Sequence, residues 1–351
     1  MNAPHIGRMI AAAVALSIGL PAAAGWAQGA GTAASISLSG AGATFPAPLY
    51  KKWIDVYQAT HRNVSISYSA VGSGEGIKRF IAETVDFAAS DENLTEKDAA
   101  KVEAGAATVP ATAGMIVLAY NIPGVSEIRL PRDVYADIFG GVIRRWDDPR
   151  IQAANVGVRL PSRDIAIVAR LDSSGTTAAF TRNLAAVDPS WRSRGLGVGK
   201  LVAWPSKTML APGNEGVAAR IKISEGAIGY VEYGFAKRLG LPMAALQNKS
   251  GQFVAPSESA AQLALSARVV EAKQLEPSVV DPAAVGAYPI VSYSWLFLYR
   301  HYPDPAKAAA VRDFVAWGLA EGQQYGVELG YVPLSADVVT LGRQILDTVA
   351  K

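Results

Sequence analysis

An α/β fold with mostly parallel sheets is what this sequence predicts, on three observations. A short β-type segment, a Gly/Ser/Thr turn and an amphipathic helix follow one another repeatedly from Ile36 onward. Two further β-like segments, Met115–Tyr120 and Ile290–Tyr299, bracket the middle of the chain. Half of the 351 residues are apolar, enough for two cores of ordinary domain size. Cysteine is absent, so stability must come from those cores; no disulfide, thiolate metal site, cysteine nucleophile or bacterial lipid anchor is available.

The chain opens with Arg8, an apolar run from Met9 to Leu20, then Pro21 and small residues through Gly25 and Ala27. This is the pattern of an export signal over residues 1–27, with cleavage expected after Ala27 in preference to Ala24. The run is about a dozen residues, short of the roughly 20 a spanning helix needs. No later segment reaches that length without charge, Gly or Pro, so no stable membrane insertion is expected of the mature chain. Losing Arg8 takes the net charge from +3 to +2, and the remaining Lys and Arg are dispersed. Nucleic acid and anionic membrane surfaces are therefore not indicated as partners.

Residues 28–35 read as a flexible lead-in. Ser35–Ser39 is a strand, Gly40–Phe45 a turn, and a helix opening at Thr44 runs through Tyr57, with Leu49, Trp53 and Val56 or Tyr57 on one buried stripe. Val64–Val71, Gly72–Gly76 and a helix through Glu83 repeat the unit. Met115–Tyr120, before Asn121-Ile-Pro-Gly124, and Ile290–Tyr299, after Tyr288-Pro289, read as crossings between two lobes. The expected division is 36–119 plus 291–351 for lobe 1 and 120–290 for lobe 2, with a tandem of two domains the less favoured alternative on periodicity alone. Asp304 as N-cap and Pro305 at the first helical position open a packing helix through Val311, Phe314, Val315 and Trp317. The tract Gly195, Gly197, Gly199, Lys200 is a surface loop: Arg194 stands where a Walker loop needs Gly, and Leu201 where it needs Ser or Thr.

Three places run a strand into a Ser/Thr and Gly turn that starts a helix: Gly40–Phe45, Gly72–Gly76 and Arg170–Thr176. The first N–H groups of a helix have no partner within it, the dipole leaves partial positive charge there, and a hydroxyl adds a donor. One such turn is an ordinary cap; three with an arginine beside them point to an oxyanion site. Arg170 ends the apolar strand Ile165–Ala169, where side chains of open α/β sheets reach a ligand crevice, and Asp172 at i+2 can share its face and orient its fork. Asp91 ends Val85–Ser90; a carboxylate beside an anion is unfavourable unless the anion brings a proton for it to accept. Catalytic constellations are missing from the pattern. His5, His61 and His301 sit near no Ser-Gly elbow and in no metal spacing, and Asp147 and Asp148 before Pro149 read as a turn, so neither an enzyme, a metal nor a cofactor is expected.

From about Ile36 nearly to the C-terminus the sequence resembles the substrate-binding protein of the bacterial phosphate ABC importer. The resemblance is carried by Ser39–Pro48, Thr84–Asp91, Asn121–Gly124, Arg145–Asp148, Ser173–Thr176 and Gly226–Tyr233. It implies a type II periplasmic-binding-protein fold, two α/β lobes joined by two crossing strands, with phosphate between them. Its phosphate contacts fall on Thr44, Phe45, Ser73, Asp91, Arg170, Ser174, Gly175 and Thr176, with Asp172 orienting Arg170. Relatives usually carry a small residue where this chain has Glu75, which is expected to point outward in the first helical turn. The implied location is the periplasm, the implied partners are inorganic phosphate and the permease subunits of an ABC importer, and the chain is expected to act as a monomer. Binding of another tetrahedral oxyanion, such as sulfate, molybdate or tungstate, and phosphate sensing without transport are the competing readings on the same residues.

Overall fold

The computed structural model describes residues 35–266 and 278–350. The expected export signal 1–27, with either cleavage point, lies outside the described residues, as does the lead-in up to Ser35. Among the described residues no helix is long and apolar enough to cross a membrane.

Alternation of strand and helix places one large sheet at the centre. Strands β1 (Ile36–Gly42), β2 (Val64–Ala70) and β3 (Phe87–Ser90) form one flank, all parallel, in the order β2-β1-β3. The next strand, β4 (Ala106–Asn121), is 16 residues long, well beyond the Met115–Tyr120 segment read from the sequence. Alanine, threonine and Pro110 dilute its first half below the density that marks a strand in sequence, while burial on both faces removes any alternation. Strand β5 (Arg129–Leu130) belongs to a small separate sheet. Strands β6 (Ala166–Arg170), β7 (Met209–Ala211) and β8 (Ala227–Glu232) form the other flank, again parallel, in the order β8-β6-β7. Strands β9 (Ala245–Gln247) and β10 (Phe253–Val254) complete the small sheet, and β11 (Ser278–Val280) and β12 (Ile290–Tyr299) complete the large one.

The expectation of mostly parallel sheets holds only for the flanks. The middle is antiparallel: β12 pairs with β3 and β4, and β4 with β8. The reason is topological, since β4 carries the chain out of the first flank and β12 brings it back in the opposite direction. β4 changes partner along its length, pairing with β12 over Ala106–Met115 and with β8 over Ile116–Asn121.

Each flank has an aromatic core. In the first, the helix Ala47–Thr60 buries Leu49, Tyr50, Trp53, Ile54 and Tyr57, and Tyr57 packs edge-on against Phe314. This helix begins at Ala47, three residues after the expected Thr44, because Pro46 and Pro48 bracket its first turn; Tyr57 rather than half-buried Val56 completes the stripe. The following helix, Ser73–Ile81, stops short of the expected Glu83, which adopts φ 53°. Around Phe139, Phe180, Trp204 and Tyr230 the rings pack into the second core. The helix Pro305–Leu319 starts as read, with the Asp304 carboxylate accepting the Ala306 N–H at 2.8 Å.

Candidate functional site

The carboxyl ends of β1, β3 and β6 converge where the two flanks meet, and every residue singled out from the sequence for this site lies there. Thr44 and Phe45 follow β1, Ser73 opens its helix, and Asp91 directly follows β3. Arg170 is the last residue of β6, and Ser174 caps the helix Gly175–Val187 by accepting the Thr177 N–H at 3.1 Å. Thr44, Phe45, Ser73, Asp91, Arg170, Ser174, Gly175 and Thr176 are all buried. Ser73 joins the flanks: its Oγ accepts the N–H of Gly175 at 3.1 Å and of Asp91 at 3.3 Å, while the Gly74 N–H donates to the Ser173 carbonyl at 2.9 Å. Gly175 is required by this approach, since a Cβ there would stand 2.6 Å from both Asp91 Cβ and Ser73 Oγ.

Arg170 and Asp172 form the expected pair, and it is bidentate: Nε to Oδ1 at 2.9 Å and Nη2 to Oδ2 at 2.5 Å. Nη1 donates to Thr176 Oγ1 at 3.3 Å. Asp172 also accepts the Gly213 N–H at 2.8 Å. Burial works to raise its pKa, but the Arg170 guanidinium and the Gly213 N–H outweigh that and hold the carboxyl below the usual range. Asp91 behaves oppositely. Burial pushes it up to about 7, against the hydrogen bond from Ser294 and the charge of Arg170. Its Oδ1 accepts from Ser294 Oγ at 2.9 Å and its Oδ2 from Thr176 Oγ1 at 3.5 Å. Glu75 points away from the cleft as expected, 40% exposed and paired with Arg79 one helical turn on at 3.0 Å.

The Phe45 ring is packed against Tyr331, and its carbonyl accepts the Tyr331 hydroxyl at 2.6 Å. Two buried site residues escape the sequence reading. Asn214, at the start of the helix Gly213–Ile223, donates from Nδ2 to Thr44 Oγ1 at 3.0 Å and to Thr176 Oγ1 at 3.3 Å. The signal was a fourth strand-to-helix turn, Ala211-Pro-Gly-Asn214, without the Ser or Thr that drew attention to the other three. Ser294 lies inside β12, at the register shift between Ser294 and Trp295; hydroxyls at 292 and 294 in an otherwise apolar strand were its signal. Among the described residues no group of three or more His, Asp or Glu could hold a metal ion.

Parallel flanks joined by two antiparallel crossing strands, with buried donors at their meeting line, define a binding protein of the type II periplasmic-binding-protein fold. Residues 22–321 match the family model described as a PBP superfamily domain. The chain is 38% identical over 306 residues to the phosphate-binding protein PstS of Pasteurella multocida, covering 86% of this chain and 88% of that one. It is also 38% identical over 327 residues to phosphate-binding protein PstS of Methanocaldococcus jannaschii, covering 86% and 83% respectively. The chain thus belongs to the PstS family of phosphate-binding proteins. A solved phosphate-binding protein from Stenotrophomonas maltophilia shares the fold, with TM-score 0.69 at 23% identity over 89% of this chain and 94% of that one.

Proposed function

We propose that this chain captures inorganic phosphate between two lobes and delivers it to the membrane permease of an ABC importer. The observation that carries the reading is the buried carboxylate of Asp91 set beside the Thr176 and Ser294 hydroxyls and the Arg170 guanidinium. Thr44, Ser73, Ser174 and Thr176 supply hydroxyls, Phe45 a backbone N–H, and Arg170 a guanidinium already oriented by Asp172; the Gly175 N–H, which donates to Ser73 Oγ at 3.1 Å, joins them by turning from that hydroxyl to the anion. Of the five guanidinium N–H donors, three serve Asp172 and Thr176 and two are left for the anion. Asp91 disfavours sulfate and other fully ionised anions, which offer it no proton.

The lobes are 36–119 plus 291–351 and 120–290, a division supported by the change of partner along β4 between Met115 and Ile116. Residues 1–27 direct export and are removed, the mature monomer works in the periplasm, and it needs neither cofactor nor catalysis. The test is thermal melting of protein stripped of bound anion. A ligand held only by the native state adds about 4 kcal/mol at a thousandfold excess over Kd. A melting curve unmoved by millimolar phosphate rejects the function.

A further inference from the structure

We infer that Asn214 is a positioning residue of the anion site: donating from one amide nitrogen to the hydroxyls of Thr44 and Thr176, it leaves both able to act only as donors toward the bound oxyanion. The inference rests on the phosphate reading above. Asn214 is fully buried, and its Oδ1 accepts the backbone N–H of Glu232 at 3.0 Å. An N–H can only donate, so the oxygen must face Glu232 and the two hydrogens on Nδ2 must face the cleft. One is directed at Thr44 Oγ1 (3.0 Å) and the other at Thr176 Oγ1 (3.3 Å).

A hydroxyl has two acceptor sites and one proton. Thr44 Oγ1 receives a second bond from the Asn214 backbone N–H at 3.1 Å, and Thr176 Oγ1 a second from Arg170 Nη1 at 3.3 Å. Both acceptor sites of both threonines are therefore filled, and what remains to each is its O–H. Thr176 directs that proton at Asp91 Oδ2 over 3.5 Å, a long bond that an oxygen of a phosphate dianion would outcompete. Thr44 follows β1 on one flank, whereas Asn214 and Thr176 open helices on the other. Thr44 thus gains its donor-only state from contact between the flanks. Asp172, which clamps Arg170, also holds the N–H of Gly213, the residue before Asn214, so one carboxylate sets the position of both.

The test is a double-mutant cycle read by calorimetric titration of phosphate into anion-free protein. Asn214→Ala is expected to weaken binding about thirtyfold, and the same change in a Thr44→Val background only about fivefold, because half of its target is gone. Equal fold losses in the two backgrounds overturn the inference, since a purely structural role would act alike in both. Asn214→Ala strips the Glu232 N–H of its acceptor, so the cycle is repeated with Asn214→Asp, which keeps that acceptor while its second oxygen takes protons from the hydroxyls. Charge repulsion is common to both backgrounds of this second cycle; a loss larger with Thr44 present supports the assignment, and an equal loss removes it. Wild-type protein that binds no phosphate sinks the phosphate reading and this inference together, whereas wild-type binding with additive cycles removes only the role of Asn214.

Discussion

Replacing Asp91 by Asn should make the anion-free protein more stable and the site less selective. In the folded chain burial lifts the Asp91 pKa from 3.8 to about 7. At 1.36 kcal/mol per unit, the roughly 3 units correspond to at most about 4 kcal/mol. The sign follows from proton counting. Between pH of about 4 and about 7 the folded state holds a proton that the unfolded state has released, so stability falls as pH rises through this window and the full penalty applies above it. Asn carries no charge to desolvate and can still accept from Ser294. Asp91→Asn should therefore gain up to about 4 kcal/mol over the parent near pH 8, with the gain fading toward pH 4. Phosphate brings the proton that makes Asp91 useful, and sulfate does not, so the same variant should lose part of its phosphate affinity and acquire measurable sulfate binding. A narrowing of the ratio by about 10- to 1000-fold is expected, at roughly 1.4 kcal/mol per decade. Urea unfolding of stripped protein at pH 5 and pH 8, with competition titrations of the two anions, reads both effects. Equal stability of the two proteins at both pH values, with an unchanged phosphate-to-sulfate ratio, would refute the reasoning.

Arg170→Ala leaves the Asp172 carboxylate with only the Gly213 N–H among its present partners and removes the guanidinium from the site, so phosphate affinity should fall by a few kcal/mol, read by titration. Arg170→Lys should recover only part, because an ammonium cannot reproduce the bidentate fork; full recovery would show that charge alone matters. Gly175→Ala places a methyl 2.6 Å from Ser73 Oγ and should cost at least about tenfold in phosphate affinity while the anion-free protein still melts cooperatively. Undiminished affinity in that variant would mean that the flanks need not approach this closely around the anion.

The chemistry of the site was more legible than its framework. Arg170, Asp172 and the Ser174-Gly175-Thr176 turn stand in one short stretch at the end of an apolar strand, and their geometry follows from strand and cap rules that act locally. The extent of β4 was not legible, since a strand buried on both faces loses the alternation that identifies strands, and Ala106–Thr112 is built of small residues. Helix starts shifted where proline geometry competed with the hydrophobic stripe, as at Ala47. Asn214 and Ser294 were missed for a different reason. Each acts on a group far away in sequence, Asn214 on Thr44 at a separation of 170 residues and Ser294 on Asp91 at 203, and no local pattern encodes such a contact.

The balance of charge around Arg170 bears on how an anion can be held there at all. Its guanidinium is matched by Asp172, and Asp91 adds either nothing or a further negative charge according to its protonation. These three side chains together thus supply no net positive charge, and a dianion among them must be stabilised by oriented dipoles: the N-termini of two helices and hydroxyls whose proton directions are fixed by their neighbours. Dipoles of this kind stabilise an anion strongly only when water is excluded and when they do not have to reorganise. Neither flank meets both conditions by itself, because Thr44, Ser73 and Asp91 come from one and Arg170, Thr176 and Asn214 from the other. Contact between the flanks, through Ser73 with Gly175 and Gly74 with Ser173, is what assembles the donors and buries them. Between phosphate and sulfate, which are nearly equal in size, the remaining basis for choice is how many protons the anion carries, and on the function proposed above the buried carboxylate of Asp91 is the group that would distinguish them.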